Sequence, residues 1–250
     1  MLATSFGQVA DDYDRVRPEP PEEALDWLVP PDCRVAVDVG AGTGLFSRAL
    51  QRRVREVIAV EPDDRMRAVL AARSPGIRPV AGRGEAIPAP DASADGVFAS
   101  SAWHWLDPSL ASPEIGRVLR DGGRMGVIWT NRDPWADWGA ELGSSQAFRS
   151  AWADRSWRPR REVTLPEGAP FANLASASFT FTRTMTVDDA IDWMDTYSVV
   201  ITAPAEKRAA ERAHAREALL RQADENGMIE VPMRSNCWRA DRAHRQAPAM

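Results

Sequence analysis

The chain has 250 residues, 44% of them hydrophobic and 27% charged, with a net charge of −5. That length and balance fit one large α/β domain, or one domain with an elaboration, either able to bury a core. The negative balance argues against a global field for nucleic acid, and two cysteines against a disulfide framework. No Cys/His grouping has metal-ligand spacing, and no apolar run nears the roughly 20 residues of a membrane span. The N-terminus carries no basic-then-apolar signal, so the expectation is a soluble, cytoplasmic protein without metal.

In chain order, Phe6 to Pro18 reads by itself as a frayed leader, and a short helix from Glu22 to Leu28 stops before Pro30-Pro31. Next comes Val35-Ala36-Val37-Asp38-Val39-Gly40-Ala41-Gly42-Thr43-Gly44. Its β-branched residues followed by alternating glycines predict a buried parallel strand, a bare-backbone turn and then a helix from Leu45 to Val54. A dinucleotide loop needs Gly-x-Gly-x-x-Gly to cradle a pyrophosphate. Here the pattern is Asp-x-Gly-x-Gly-x-Gly. A carboxylate aimed into the loop repels phosphate and suits a cation.

Glu56 to Pro62 predicts the second strand, ending in Glu61, an acid placed to accept ribose hydroxyls. Pro62 and Met66 open the following helix and would flank an adenine; Met66 reads equally as a core filler. The third strand is expected over Ile77 to Ala81. The fourth, Ala94 to Ser101, leads into Ala102-Trp103-His104-Trp105. Pro108 to Arg120 predicts a helix, Asp121-Gly122-Gly123-Arg124 a turn, and Met125 to Trp129 the fifth strand. Ligands of open α/β sheets sit beyond the carboxyl ends of such strands.

Asp38 to Gly44 resembles the first motif of class I S-adenosylmethionine (SAM)-dependent methyltransferases. Phe6…Ala10-x-x-Tyr13-Asp14-x-x-Arg17-Pro18 resembles the leading segment of the trans-aconitate-type, or type-11, members. The resemblance runs almost continuously to Thr130. It implies SAM as cofactor, held by Asp38, Gly40, Ala41, Gly42, Gly44, Glu61, Pro62 and Met66, with Tyr13 and Arg17 at its methionine end. Without it, Tyr13 and Arg17 read as surface residues. The related Gly-Asp-Ala-Glu-x-Leu-Pro segment becomes Gly82-Arg83-Gly84-Glu85 here. Arg83 cannot accept a bond from the adenine amino group, which leaves that contact to Gly84 and Glu85. By the same resemblance Ser100 carries carbonyls for the cofactor ammonium, and Ser101-Ala102-Trp103-His104-Trp105 replaces a Gln-Ala-aromatic-His-Trp run. His104 is either a general base, with an unperturbed pKa near neutrality, or a structural histidine under the loop.

From Asn131 the match thins. A helical stretch is expected from Asp133 to about Ala153, then a basic run, Arg155 to Arg161, that reads as a linker or an RNA patch. Ser178 to Thr184 alternates as an edge strand. Thr186-Val187-Asp188-Asp189 caps a helix with Val187, Ala190, Ile191 and Met194 on one face. Its acids, Asp188, Asp192 and Asp195, read as a solvated face rather than a metal site. Ala205 to Glu225 predicts a helix, Met228 to Trp238 an antiparallel last strand, and the tail beyond Arg242 is loose. Asp195-Thr196-Tyr197-Ser198 resembles a stretch bordering the acceptor pocket, which implies substrate contact by Tyr197 beside Trp103, His104 and Trp135.

The expected fold is a Rossmann-like, seven-stranded, mostly parallel sheet with helices on both faces. Residues 1–33 form a cap segment, 34–130 the SAM-binding core, and 131–250 complete the sheet and carry a helical substrate cap. The expected reaction is methyl transfer to the oxygen or nitrogen of a small carboxylate-bearing or aromatic acceptor. Arg17 and Arg132 serve equally to hold a substrate carboxylate. Non-methyl chemistry on SAM, SAM sensing, an NAD-dependent oxidoreductase and RNA methylation are the competing readings. No nucleic-acid or membrane partner is expected, and a homodimer is left open.

Overall fold

The computed structural model describes residues 10–136, 162–201 and 203–243. The start of the leader at Phe6, the helical stretch beyond Ala136, the Arg155–Arg161 run and the tail beyond Ala243 lie outside the described residues.

The elements are α1 (Ala10–Val16), α2 (Glu22–Leu28), β1 (Val35–Val39), α3 (Leu45–Gln51), β2 (Glu56–Val60), α4 (Asp64–Arg73), β3 (Arg78–Val80) and β4 (Ala94–Ser100). A 3-10 turn (Trp103–Trp105) precedes α5 (Pro108–Val118), β5 (Leu119–Arg132) and β6 (Phe171–Thr186). Then come α6 (Val187–Asp195), α7 (Ser198–Ile201), α8 (Ala205–Leu220) and β7 (Met228–Arg242). The strands form one seven-stranded sheet in the order β3-β2-β1-β4-β5-β7-β6. Pairings β3-β2, β2-β1, β1-β4 and β4-β5 are parallel, whereas β7 and β6 run antiparallel. This is the expected fold.

Two interleaved compact units divide the chain. The core unit comprises Glu19–Thr130, Glu162–Phe179 and Ser235–Met250; the second comprises Met1–Pro18, Asn131–Arg161 and Thr180–Arg234.

In the core unit, alternation along each strand sends side chains to two faces. Val37, Val39, Ile58, Val60, Val97, Met125 and Val127 pack with Ala111, Ile115 and Val118 of α5. Ala36, Val57, Ala59, Phe98 and Ile128 pack with Leu25 and Leu28 of α2, Phe46 and Leu50 of α3, and Leu70 of α4. Asp38 alternates onto that second face, which puts its carboxylate beneath α3.

Helix starts follow their capping residues. The Asp63 carboxylate accepts from the N–H groups of Arg65 and Met66, and Asp107 accepts from Ser109 with Pro108 in the first turn. β5 begins at Leu119 rather than at the expected Met125. Leu119 already pairs with Ala94, and after an irregularity Arg124 pairs with Gly96. The expected Gly-Gly turn is therefore looped out inside the strand as a bulge, with Gly122 at φ 75°.

In the second unit, Thr186 caps α6 by accepting from the Asp189 N–H, and Val187, Ala190, Ile191, Trp193 and Met194 enter a core with Ala215, Leu219, Ile229, Val231 and Met233. The acidic face of α6 is held by arginines. Asp188 pairs with Arg216, Asp189 with Arg15, Asp192 with Arg15 and Arg212, and Asp195 with Arg212. Exposed pairs of this kind contribute about 0–1 kcal/mol each. α8 ends at Leu220, short of the expected Glu225, because the Asp224 carboxylate turns the chain by accepting from Asn226 and Met228, with Gly227 at φ 73°. Both β6 and β7 are longer than the alternation alone marked.

Candidate active site

At the carboxyl end of β1 the glycine loop turns its amides inward. Gly40 N–H donates to the Val60 carbonyl at 2.8 Å, Ala41 N–H to the same oxygen at 3.1 Å, and Gly44 N–H to Ala41 at 2.9 Å. Gly42 N–H donates to Glu61 Oε2 at 2.8 Å, and the other carboxylate oxygen accepts from Asp63 N–H at 2.9 Å. A loop that grips a diphosphate aims these amides at the ligand. Here the Gly40 and Ala41 amides are committed to β2, that of Gly42 to the Glu61 carboxylate, and that of Gly44 closes the turn on Ala41.

The three glycines do different work. A Cβ on Gly40 would lie 2.6 Å from Ala102 Cβ, and one on Gly44 2.8 Å from both Leu70 and Ser74. These two allow the loop to press against its neighbours. A Cβ on Gly42, at φ 57°, would meet nothing within 4 Å. Gly42 is the one whose missing side chain leaves open space over the bend.

Two buried carboxylates lie under this bend. Asp38 is fully buried; Ser47 Oγ donates to its Oδ2 at 2.6 Å. Burial pushes the Asp38 carboxyl up to about 7, the Ser47 bond opposes the rise, and the nearby Glu61 adds to it. Glu61 is raised as well, chiefly by burial, against the two backbone N–H bonds it accepts. Among the described residues, Asp38 Oδ1 and Thr43 Oγ1 are buried without a hydrogen-bond partner. A cationic ligand with hydroxyl donors satisfies such a site, and a phosphate does not.

The remaining walls come from the ends of neighbouring strands. Gly84 sits so close to Leu106 and Val39 that a Cβ would fall 2.8 Å from each, and Glu85 Oε1 accepts from Asp107 N–H at 3.0 Å. Pro62 is exposed and Met66 buried at the start of α4, where the Asp63 cap fixes both. Arg83 is exposed. At the end of β4, Ser101 takes a left-handed φ of 53°, and its N–H donates to the Ile128 carbonyl at 2.8 Å. A left-handed non-glycine residue costs roughly 1–3 kcal/mol. It turns the chain from Ser100 into Ala102, Trp103 and His104.

Trp103 is buried in the core rather than in an open pocket. His104 is exposed; its ring lies 4.6 Å from that of Trp105, and its Nδ1 accepts a hydrogen bond from Trp129 Nε1 at 3.3 Å. The predicted residues Asp38, Gly40, Ala41, Gly42, Gly44, Glu61, Pro62, Met66, Gly84, Glu85, Ser100, Trp103 and His104 all belong to the core unit, Trp103 within its apolar core. Sequence reasoning missed Ser47, Ser101 and Trp129. The signal for Trp129 was present, since it stands at the carboxyl end of β5 where ligand-facing residues collect.

Tyr13, Arg17, Trp135 and Tyr197 belong to the second unit. Arg17 lies between two rings, its guanidinium carbon 4.7 Å from the Tyr13 centroid and 4.5 Å from that of Tyr197. Its Nε donates to Thr196 Oγ1 at 2.8 Å and its Nη2 to the Thr196 carbonyl at 2.9 Å. One edge of the fork is therefore used within the unit. Tyr197 is buried in the core of this unit. Burial pulls the Arg132 guanidinium down from its ordinary value, with Tyr197 and Asp133 opposing. Trp135 is 55% exposed, its N–H donating to Asp133, whose carboxylate takes a two-pronged bond from Arg234.

A mostly parallel sheet with an open glycine bend above two buried acids at its strand ends has the form of an α/β ligand-binding domain. Comparison with known proteins gives the family. Residues 37–127 match the family model described as a methyltransferase domain. An uncharacterized methyltransferase of Mycobacterium tuberculosis is 38% identical over 243 residues, covering 96% of both chains. A methyltransferase-like protein of Schizosaccharomyces pombe is 31% identical over 223 residues, covering 86% of this chain and 84% of its own. Among solved structures, a protein of Anaeromyxobacter dehalogenans described as a type II methyltransferase superposes with a TM-score of 0.64 at 23% identity, covering 91% of this chain and 99% of its own. That likeness concerns the fold. The chain belongs to the methyltransferase family, and it is an enzyme of methyl transfer.

Proposed function

We propose that the protein transfers the methyl group of SAM to the oxygen or nitrogen of a small acceptor bearing a carboxylate or an aromatic ring. One observation carries the cofactor reading: the loop amides turn inward onto Val60 and Glu61, beneath an open Gly42. The orphaned Asp38 Oδ1 and Thr43 Oγ1 fit a ligand that is positive and carries hydroxyls. SAM supplies an activated methyl on a sulfonium.

Residues 34–130 form the cofactor core in this reading. Glu61 accepts the ribose hydroxyls with the lone pairs its two N–H bonds leave. Pro62 and Met66 border the adenine, with Gly84 and Glu85 giving backbone contact where Arg83 cannot accept. Gly40, Ala41 and Gly44 shape the bend, Asp38 holds a counter-charge under it, and Ser100 offers its carbonyl to the ammonium. Residues 1–33, and the helices after Asn131, serve as the cap. For Tyr13, Arg17, Trp135 and Tyr197, support comes from the resemblance and from the Arg17–tyrosine sandwich, which leaves Arg17 Nη1 for a carboxylate. A half-buried Arg132 beside Tyr197 favours an anionic acceptor, since desolvated cations gain most from a counter-ion. Trp105 and His104 give the acceptor a flat wall. Alignment of the two reactants supplies up to about 7–11 kcal/mol of rate acceleration.

Incubation with SAM and a panel of small carboxylates, phenols and amines tests this. Release of S-adenosylhomocysteine with a methylated product supports it. Tight SAM binding with no turnover on any panel member overturns the acceptor class, and failure to bind SAM overturns the cofactor.

A further inference from the structure

Trp129 is buried in the core unit at the carboxyl end of β5, its ring edge-on to Trp238 of β7 at 5.4 Å and 85°. Next to it, Thr130 and Ser235 hydroxyls join β5 to β7 at 2.8 Å. The indole is thereby fixed, and so is the direction of its N–H. That N–H is a donor only, whereas a neutral imidazole carries one donor and one acceptor nitrogen. Since Trp129 Nε1 donates to His104 Nδ1 at 3.3 Å, Nδ1 is the acceptor and the ring proton sits on Nε2. Trp105 packs against the same imidazole, its ring centroid 4.6 Å away.

We propose that Trp129 is a positioning residue that locks His104 as the Nε2–H tautomer, so that His104 presents a hydrogen-bond donor, not a base, to the acceptor oxygen. Taking up a proton at Nδ1 would break the Trp129 bond, and Nε2 already holds one. The acceptor then reacts as an anion that has lost its proton to solvent before binding. His104 steadies the reacting oxygen and directs its remaining lone pair, and no proton moves through the imidazole. This role rests on the methyl-transfer reading above, but the tautomer does not, and the two fail separately. Ala102, two residues before His104, touches Gly40 of the glycine bend, which ties the imidazole to the cofactor side of the core.

Long-range proton–nitrogen correlation spectra of the full chain, labelled with ¹⁵N in histidine and tryptophan, read the tautomer directly. The His104 signals are assigned by their loss in His104→Gln. The expected wild-type pattern is an unprotonated Nδ1 and a protonated Nε2, with a nitrogen–nitrogen coupling across the hydrogen bond to Trp129. Trp129→Phe should leave His104 in mixed tautomers while His214 keeps its pattern. A wild-type proton on Nδ1 overturns the proposal, and so does an unchanged tautomer in a folded Trp129→Phe. If that variant does not fold, the wild-type coupling alone decides. With an acceptor in hand, His104→Ala should lower kcat/KM by about 10- to 100-fold, and His104→Gln, which keeps an N–H donor, should recover part of that loss. A glutamine variant as slow as alanine means a base is needed and sinks the donor role.

Discussion

The amide of Gly42 and the carboxylate of Glu61, 2.8 Å apart, join the glycine bend of β1 to the end of β2. Glu61 braces the loop and, in the proposed function, also presents acceptor oxygens to a ribose. Glu61→Gln removes the charge and, with one carbonyl oxygen in place of two acceptors, leaves either the Gly42 or the Asp63 N–H facing an amide NH2. Hydrogen bonds to charged groups are worth about 1.5–3 kcal/mol, so the melting temperature should fall and SAM affinity measured by calorimetry should drop roughly 10- to 150-fold.

Gly42 and Gly44 should separate binding from folding. Gly42→Val puts a branched side chain over the open bend at φ 57°. The chain should still fold, at a cost of about 1–2 kcal/mol for the left-handed backbone, and should bind no SAM. Gly44→Val, by contrast, drives into Leu70 and Ser74, both 2.8 Å from its Cβ. Overpacking of this kind costs about 1–3 kcal/mol on top of the backbone strain. Its melting temperature should drop clearly below that of Gly42→Val.

Asp38 predicts a pH dependence with a definite sign. Its carboxyl is pushed from an ordinary 3.8 to about 7 in the folded chain. The folded state thus holds a proton that the unfolded state has lost between those values. The stability this group contributes is complete below the unfolded value and disappears as pH rises through about 7, at up to about 1.4 kcal/mol per pH unit. A cationic ligand needs the charged form, so SAM should bind up to tenfold more weakly for each pH unit below 7. Asp38→Asn should flatten both slopes, and identical slopes in wild type and variant would refute the assignment.

Arg17→Lys keeps the charge but loses the bond from Nε to Thr196 Oγ1 and the planar stacking between Tyr13 and Tyr197. A loss of about 1–2 kcal/mol in denaturant unfolding is expected. An unchanged midpoint would mean that the sandwich contributes nothing to the fold.

Cys33 and Cys237 are both buried, and burial pushes each thiol up to about 12. Neither should react with a thiol reagent at neutral pH until the chain unfolds. Rapid labelling of the native protein would show that one of these sites opens.

What could be read from residue order was whatever depends on near neighbours. The Val35–Val39 strand, the glycine bend, the acid two residues before it, the Thr186 cap and the apolar face of α6 each follow from short-range sterics and periodicity. The seven-stranded, mostly parallel sheet followed from resemblance, and the order of its strands came only from the structure, because nothing local encodes which strand lies beside which.

The sequence by itself marked a loop that repels phosphate and suits a cation, because glycine freedom and a neighbouring carboxylate are properties of adjacent residues, while SAM as the ligand followed from the resemblance. Tertiary structure alone decided where the loop amides point, which of the three glycines leaves space, and that Trp129 meets His104 from another strand. Those depend on distances between segments far apart in the chain, and such distances exist only once the core has closed.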